Sequence, residues 1–309
     1  MKLHLAWPVS VAAAALVLAG CSSSDSGSTG ESSASSSASA TSTSAAAAPS
    51  PEAEKAATEY KAYAVSQIDE LVGAVKVLTD AVRANNLQAA QDAYAPSRMP
   101  WERIEPLAGL VEEIDGKVDA RVDDFAGVDD PAFTGWHRLE FLLFEKNTTE
   151  GGAPFADQLD ADIATLKEQF ATVEVKPIDV ANGAAELIEE VSEGKITGEE
   201  DRYSKTDLWD FDANLQGSQA AIDKLTPALE QADAALLGKI DAGLTEVFAT
   251  MAPLRRGDGW VLFCPEKPEF PSPRCPEVTV TPQVVDALKA QLAGLSENLS
   301  QVAGVLKLS

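Results

Sequence analysis

The chain has 309 residues, 45% of them hydrophobic, which is enough for one large domain or two small ones with a substantial core. It carries 49 acidic residues against 24 lysines and arginines, a formal net charge of -25 at pH 7. Such a surface disfavours nucleic acids and polyanionic ligands and attracts cations. Most of this charge is expected simply to solvate helix faces.

The first 21 residues have the pattern of a bacterial lipoprotein signal peptide. Lys2 supplies a positive charge, an apolar run covers residues 5–19, and Leu18-Ala19-Gly20-Cys21 ends the segment. The run is too short for a comfortable membrane span, and small residues before a cysteine suit cleavage and lipidation of Cys21. We therefore expect a lipid-anchored protein outside the cytoplasm, with an ordinary secretory signal as the alternative.

Residues 22–51 are dominated by serine and alanine. Because they carry almost no apolar bulk, they are expected to form a disordered tether between the anchor and the folded domain.

From residue 52 to the end, apolar residues recur with the 3.6-residue period of α-helices. We predict that Pro96 interrupts the second helix and that Trp101–Leu110 forms a short helix of its own. Residues 194–203 are expected to be a turn-rich connector, and strand-like alternation is confined to residues 278–281. The predicted fold class is all-α, with two fused antiparallel up-and-down helical bundles over about 52–175 and 176–309.

Two short stretches suggest that the halves are related by duplication. Gly135-Trp136 is echoed by Gly259-Trp260, and Trp101 more faintly by Trp209. If the echo reflects structure, each half contains a helix that begins with Gly-Trp.

Cys264 and Cys275 are the only cysteines after Cys21. Outside the cytoplasm, two cysteines separated by a short proline-rich segment are expected to form a disulfide. A metal-thiolate site is less favoured, because no second histidine or further cysteine is available beside them.

His137 is the only histidine once the signal peptide has been removed, and Glu140 follows three residues later. On a helix, residues three apart share a face, so imidazole nitrogen and carboxylate oxygen would point the same way, as a transition-metal site requires. Glu102 and Glu105 have the same spacing and are candidates to complete the site. The plainer alternative is a structural ion pair, in which the neighbouring Arg138 neutralises Glu140.

Three separated blocks resemble the imelysin-like family, specifically its EfeO/EfeM-type iron-uptake lipoproteins. The blocks are Trp101-Glu102-Arg103-Ile104-Glu105-Pro106, Gly135-Trp136-His137-Arg138-Leu139-Glu140, and residues 195–211, which begin Lys195-Ile196-Thr197-Gly198. The first two correspond to an aromatic-E-R-I-E-P block and to the GxHxxE signature of the family. The likeness extends over about residues 52–309. Many EfeO proteins also have an N-terminal cupredoxin-like domain, and here the serine/alanine tether stands in its place.

The resemblance implies two fused helical bundles and an extracytoplasmic metal site containing His137 and Glu140, to which we add Glu102 and Glu105. It implies binding of iron, ferrous or ferric, with zinc or another divalent metal as alternatives. The implied partners are an iron permease and a haem-peroxidase-like protein of the same uptake system.

The family has also been grouped with metallopeptidases, but this chain lacks an HExxH motif and a second mature histidine. A peptidase, a haem-binding protein and an envelope module without metal therefore stay open as alternatives to an iron-binding protein.

Overall fold

The computed structural model of the protein describes residues 48–309, and they form one compact unit of packed helices. The predicted signal peptide, Cys21 and nearly all of the predicted tether lie outside the described residues. No described helix is both long enough and apolar enough to cross a membrane. The α-helices are α1 (Pro51–Arg83), α2 (Leu87–Glu102), α3 (Glu112–Val118), α4 (Gly135–Glu140), α5 (Ala153–Thr172), α6 (Pro177–Glu193), α7 (Asp207–Met251), α8 (Pro282–Leu299) and α9 (Val302–Val305).

The long helix α1 shows why the sequence forms helices here. Ser50 caps its first turn by accepting a hydrogen bond from the backbone N–H of Ala53 at 3.1 Å, and Pro51 occupies the first helical position. It ends before Asn85, which adopts a left-handed backbone conformation. The side chains on its buried face include Tyr60, Ala64, Ile68, Leu71, Val75, Leu78 and Val82, at the spacing of one helical stripe.

The helices form two groups that share one hydrophobic core. In the first group α1 packs on α2 and α5, and in the second α6 packs on α7 and α8. Helices α1 and α2 also pack on α7, which joins the groups. Gly217 of α7 makes this approach possible, because a Cβ atom there would lie 2.2 Å from the carbonyl oxygen of Arg103. The all-α fold class is confirmed, since the strands among residues 48–309 are limited to one pair of two residues each.

Two predictions about the region before residue 110 were wrong. Helix α2 continues through Pro96 and Pro100 to Glu102, and Glu105–Leu110 is a separate 3₁₀-helix. Pro96 leaves the carbonyl of Asp92 without its helical donor, but both residues are exposed, so water can take that place. As a consequence Glu102 and Glu105 do not share one helix face.

The Gly-Trp echo does not repeat the same local structure. Gly135-Trp136 begins the helix α4, whereas Gly259-Trp260 forms β2, which pairs with β1 (Arg255–Arg256) in an antiparallel hairpin. Gly257 turns the hairpin with a positive φ of 57°. The predicted second Gly-Trp helix is therefore absent at this place.

Helix α7 contains Pro227 and one residue, Asp233, whose φ and ψ of -159° and 84° are not helical. Beyond the hairpin, Cys264 and Cys275 are joined by a disulfide, as predicted from their spacing. In the segment predicted to alternate like a strand, Val280 forms one isolated bridge with Pro265.

Candidate metal centre

Helix α4 is held in position by its first residue. Gly135 has a φ of 74°, and a Cβ atom there would lie 2.2 Å from the carbonyl oxygen of Val118, so only glycine fits. The indole N–H of Trp136 donates to the hydroxyl of Ser97 at 3.1 Å. These contacts direct His137 and Glu140 into the interior, where both are buried.

The two ring nitrogens of His137 face different carboxylates. Nδ1 lies 3.1 Å from Oε2 of Glu140. Nε2 lies 3.4 Å from Oδ1 of Asp119 and 3.8 Å from Oε1 of Glu200. Two sets of side chains are therefore close enough to hold one metal ion among the described residues: Asp119, His137 and Glu200, and His137, Glu140 and Asp201.

Glu140 is already well supplied with hydrogen bonds. Its Oε1 atom accepts from the backbone N–H groups of Tyr203 and Ser204, both at 2.8 Å, and from the Ser204 hydroxyl at 3.0 Å. Its Oε2 atom is the one directed at His137. Glu140 thus fixes the orientation of the imidazole and also ties α4 to the connector between α6 and α7.

Arg98 is the central cation of the site. This side chain on α2 is completely buried, and its guanidinium lies 3.4 Å from Nε2 of His137. It forms ion pairs with five carboxylates from both halves of the chain: Glu102, Asp119, Glu200, Asp201 and Asp210. A fully buried arginine requires such partners, so Arg98 and this acidic cluster stabilise each other.

Glu102 belongs to this cluster and Glu105 lies beside it, and neither residue is in the two sets that could hold a metal ion. The ammonium group of Lys195 lies 2.7 Å from Glu105 and 3.4 Å from Glu102. The side-chain amide of Asn214 donates to both carboxylates, at 2.9 and 2.7 Å. The two glutamates therefore meet through Lys195 and Asn214, and Arg98 stands between Glu102 and the histidine ring.

The pKa shifts divide the carboxyl groups of the centre into those with lowered and those with raised pKa values. Burial raises the pKa of Asp119, but Arg98 and the hydrogen bond from His137 outweigh it and hold this pKa well below its usual range. The pKa of Glu200 is also lowered, because Lys195 and Arg98 outweigh its burial. Both carboxylates are therefore ionised at neutral pH and available as anionic ligands.

Five other acids in and next to the cluster have raised pKa values, with burial as the main cause. The pKa of Asp201 is raised to about 6, and that of Glu105 is raised. The pKa values of Glu102, Asp207 and Asp210 lie well above the usual range. The fully buried Asp207 and Asp210 each have one carboxyl oxygen without a hydrogen-bond partner. Burial therefore shifts each of these groups towards the protonated form.

The pKa of His137 is raised to about 9. Burial and the charge of Arg98 lower this pKa, but hydrogen bonds to Asp119 and Glu140 and the charge of Asp119 outweigh both. A metal ion at this ring must therefore displace a proton.

A cleft of about 690 Å³ connects this region with solvent. Asp119 and Glu200 line it, so the set with His137 Nε2 borders an open space. Most of the other lining side chains are acidic: Glu105, Asp115, Asp124, Glu190, Glu193 and Glu199. Arg121 and Lys195 also line the cleft, so an approaching cation meets an excess of negative charge and not a purely acidic wall.

Sequence reasoning missed three members of the site. Glu200 and Asp201 lie in the segment predicted to be a turn-rich connector, and the family block that contains them was the one available signal. Nothing in the sequence pointed to Arg98. The alternative of an Arg138–Glu140 ion pair is not what the structure shows, because Arg138 donates to the carbonyl of Val128 and stacks on Phe155.

Residues 56–295 match the family model described as Imelysin, which carries the label Peptidase M75. The chain belongs to the imelysin family, as the three motif blocks predicted. It is 44% identical over 254 residues to the iron uptake system component EfeO of Escherichia coli O157:H7, a match covering 82% of this chain and 64% of the relative.

The proteins of the same name from Yersinia pseudotuberculosis serotype I and Yersinia pestis are each 45% identical over 251 residues, covering 81% of this chain and 63% of the relative. The chain thus spans less than two thirds of the length of these relatives.

Proposed function

We propose that this protein is the iron-binding component of an uptake system, held outside the cytoplasm by a lipid on Cys21. It would bind iron and deliver it to a membrane permease. The observation that carries the proposal is the arrangement of Asp119, His137 and Glu200, whose ligand atoms converge beside an acidic cleft. The printed name of the EfeO relatives supports iron as the cargo.

The proposed ligands are Nε2 of His137 with the carboxylates of Asp119 and Glu200. One imidazole and two carboxylates form a borderline-to-hard donor set that suits iron and also accepts zinc or manganese. Glu140 would act from behind the ring by accepting a hydrogen bond from the Nδ1–H group, as carboxylates do for many metal-bound histidines. A direct bond from Glu140 to iron is the alternative, with Asp201 completing the second set.

Glu102 and Glu105 are proposed as outer carboxylates of the centre. Both already contact Lys195, so direct binding to iron would require that ammonium group to move away. In the proposed arrangement they hold Lys195 and Arg98 close to Asp119 and Glu200, and thereby keep those two carboxylates ionised.

Release of iron to a partner would use the same groups. A proton can return to His137, and carboxylates exchange ligands easily, so the bound ion need not be trapped. The proposed receiver is an iron permease, and a haem-peroxidase-like protein is the proposed further partner.

The test is a calorimetric titration of the purified protein with ferrous iron, ferric citrate and zinc. We expect one tight site in the wild type and no measurable tight binding in His137→Ala or Asp119→Asn. Asp129→Asn is the matched control, because Asp129 is an exposed carboxylate away from the cluster. Equal affinity in Asp119→Asn, Asp129→Asn and the wild type would disprove the assignment.

The family label makes peptide hydrolysis a second candidate. We expect no cleavage, because the two remaining carboxylates next to His137, Glu140 and Asp201, are buried and hydrogen bonded. Incubation of the zinc-loaded protein with a peptide library checks this. Sustained cleavage that a chelator stops, and that His137→Ala lacks, would establish an enzyme instead.

A further inference from the structure

The connector that carries Glu200 is attached to the disulfide loop by a fully buried lysine. Lys205 has a left-handed backbone, with a φ of 63°, and almost no exposed surface. Its ammonium group donates to the carbonyl of Phe270 at 2.7 Å and to the carbonyl of Gly198 at 3.4 Å. Phe270 lies inside the loop closed by Cys264 and Cys275. One side chain thus joins the start of the connector to the middle of the loop.

Further contacts bind the loop region to the connector at Lys205 itself and at Ser204. The backbone N–H of Phe263, next to the disulfide, donates to the carbonyl of Lys205 at 2.8 Å. The guanidinium of Arg274 donates to the carbonyl of Ser204 at 3.0 Å and stacks on Phe144, just beyond α4. The loop therefore contacts the connector at consecutive residues.

Ser204 contacts both the loop and the metal centre. Ser204, whose carbonyl accepts from Arg274, donates its N–H and hydroxyl to Glu140. The N–H of Tyr203 donates to the same Glu140 oxygen. Displacement of this backbone would remove all three donors from Glu140 and with them the support of the His137 ring.

We propose that the disulfide-closed loop 264–275 is a brace that positions the metal centre, with Lys205 and Arg274 as its positioning residues. The brace keeps the N–H groups of Tyr203 and Ser204 on Glu140 and holds Glu200 opposite His137. The expected effect of the brace on metal affinity rests on the proposed metal-binding function. Its effect on the position of the connector backbone does not. Few side chains of the proline-rich loop are buried, so the disulfide is what keeps the loop in its shape.

The experiment measures two quantities on the purified full-length protein. Hydrogen–deuterium exchange reports protection of the Tyr203 and Ser204 amides, and calorimetric titration with zinc or ferrous iron reports affinity. The variants are Lys205→Met, which removes the donors and keeps the chain length, and Cys264→Ser with Cys275→Ser. Lys205→Arg retains donors, and Lys289→Met makes the same chemical change on an exposed residue of α8.

We expect Lys205→Met and the double cysteine variant to lose protection at both amides and to bind metal about tenfold more weakly at unchanged stoichiometry. Lys205→Arg should restore both quantities in part, and Lys289→Met should match the wild type. Far-ultraviolet circular dichroism identifies any variant that fails to fold, in which case Arg274→Met takes its place.

Unchanged amide protection in the folded variants would overturn the brace, and so would lost protection with wild-type affinity. If the wild type itself binds no metal, the proposed function fails, and the exchange data alone then decide whether the brace exists.

Discussion

The Nδ1 atom of His137 lies 3.1 Å from Oε2 of Glu140, one turn further along the same helix. The other oxygen of Glu140 accepts three hydrogen bonds from the connector in the second half of the chain. The histidine ring is therefore oriented by its own helix and by a distant segment together.

Replacement of Glu140 should weaken metal binding without abolishing it. In Glu140→Gln the side chain keeps its shape, but the charge that supports the Nδ1 proton is lost. We expect affinity for zinc or iron to fall about 10- to 100-fold, the range for loss of such a supporting partner. His137→Ala should remove tight binding altogether. Calorimetric titration separates the outcomes, and equal loss in both variants would mean that Glu140 is itself a ligand.

Trp101 should affect the centre through Asp119. Its indole N–H donates to Oδ2 of Asp119 at 2.8 Å, and Trp101→Phe leaves that partly buried oxygen without its donor. We expect a loss of about 1–3 kcal/mol in the free energy of unfolding, together with weaker metal binding.

The matched control for Trp101→Phe is Trp209→Phe, which alters a half-buried indole that packs on Gly259. It should cost stability and leave affinity unchanged. Denaturant unfolding and metal titration check the pair. If both variants bind metal like the wild type, the indole of Trp101 has no part in orienting Asp119.

Gly135→Ala tests the start of α4. The added Cβ would lie 2.2 Å from the carbonyl oxygen of Val118, and alanine disfavours the positive φ by about 1–2 kcal/mol. We expect a loss of more than that amount in the free energy of unfolding, measured in urea, because the clash adds to the backbone cost. Gly238→Ala, in an exposed helical position with no neighbour within 4 Å, should instead stabilise by about 0.5–1 kcal/mol. Similar effects at the two positions would exclude this explanation.

Asp115 should make the protein less stable as the pH rises. Burial and then the charge of Asp119 raise the pKa of Asp115 to about 7, against an ordinary value of 3.8. Between these values the folded state binds more protons than the unfolded state, so stability falls as the pH increases. Above the folded pKa the full penalty applies.

Asp115→Asn should therefore be more stable than the wild type above about pH 7 and similar to it near pH 3–4, as urea unfolding across pH will measure. Glu113→Gln is the contrast on the same helix. Lys117 lowers the pKa of Glu113, so its small stabilising effect is present at neutral pH and is lost as the pH falls. If the free energies of unfolding of the wild type and of Asp115→Asn change in parallel with pH, the raised pKa of Asp115 is contradicted.

The helices were predictable where burial follows one stripe, as in α1, because periodicity reports the buried face directly. Periodicity does not report how a proline is tolerated, and α2 passes Pro96 because the orphaned carbonyl faces water. It also did not distinguish the helix at Gly135-Trp136 from the strand at Gly259-Trp260. The difference lies in the turn at Gly257, which pairs β2 with β1.

By itself, the sequence determined the all-α class, the family, and the pairing of His137 with Glu140. These depend on local spacing, which the geometry of a helix converts into a shared face. The tertiary structure decided the rest of the centre, since Asp119, Glu200 and Arg98 come from segments far apart in the chain. It also decided which carboxyl groups have lowered pKa values and which have raised ones, because each shift depends on the balance between burial and the surrounding charges.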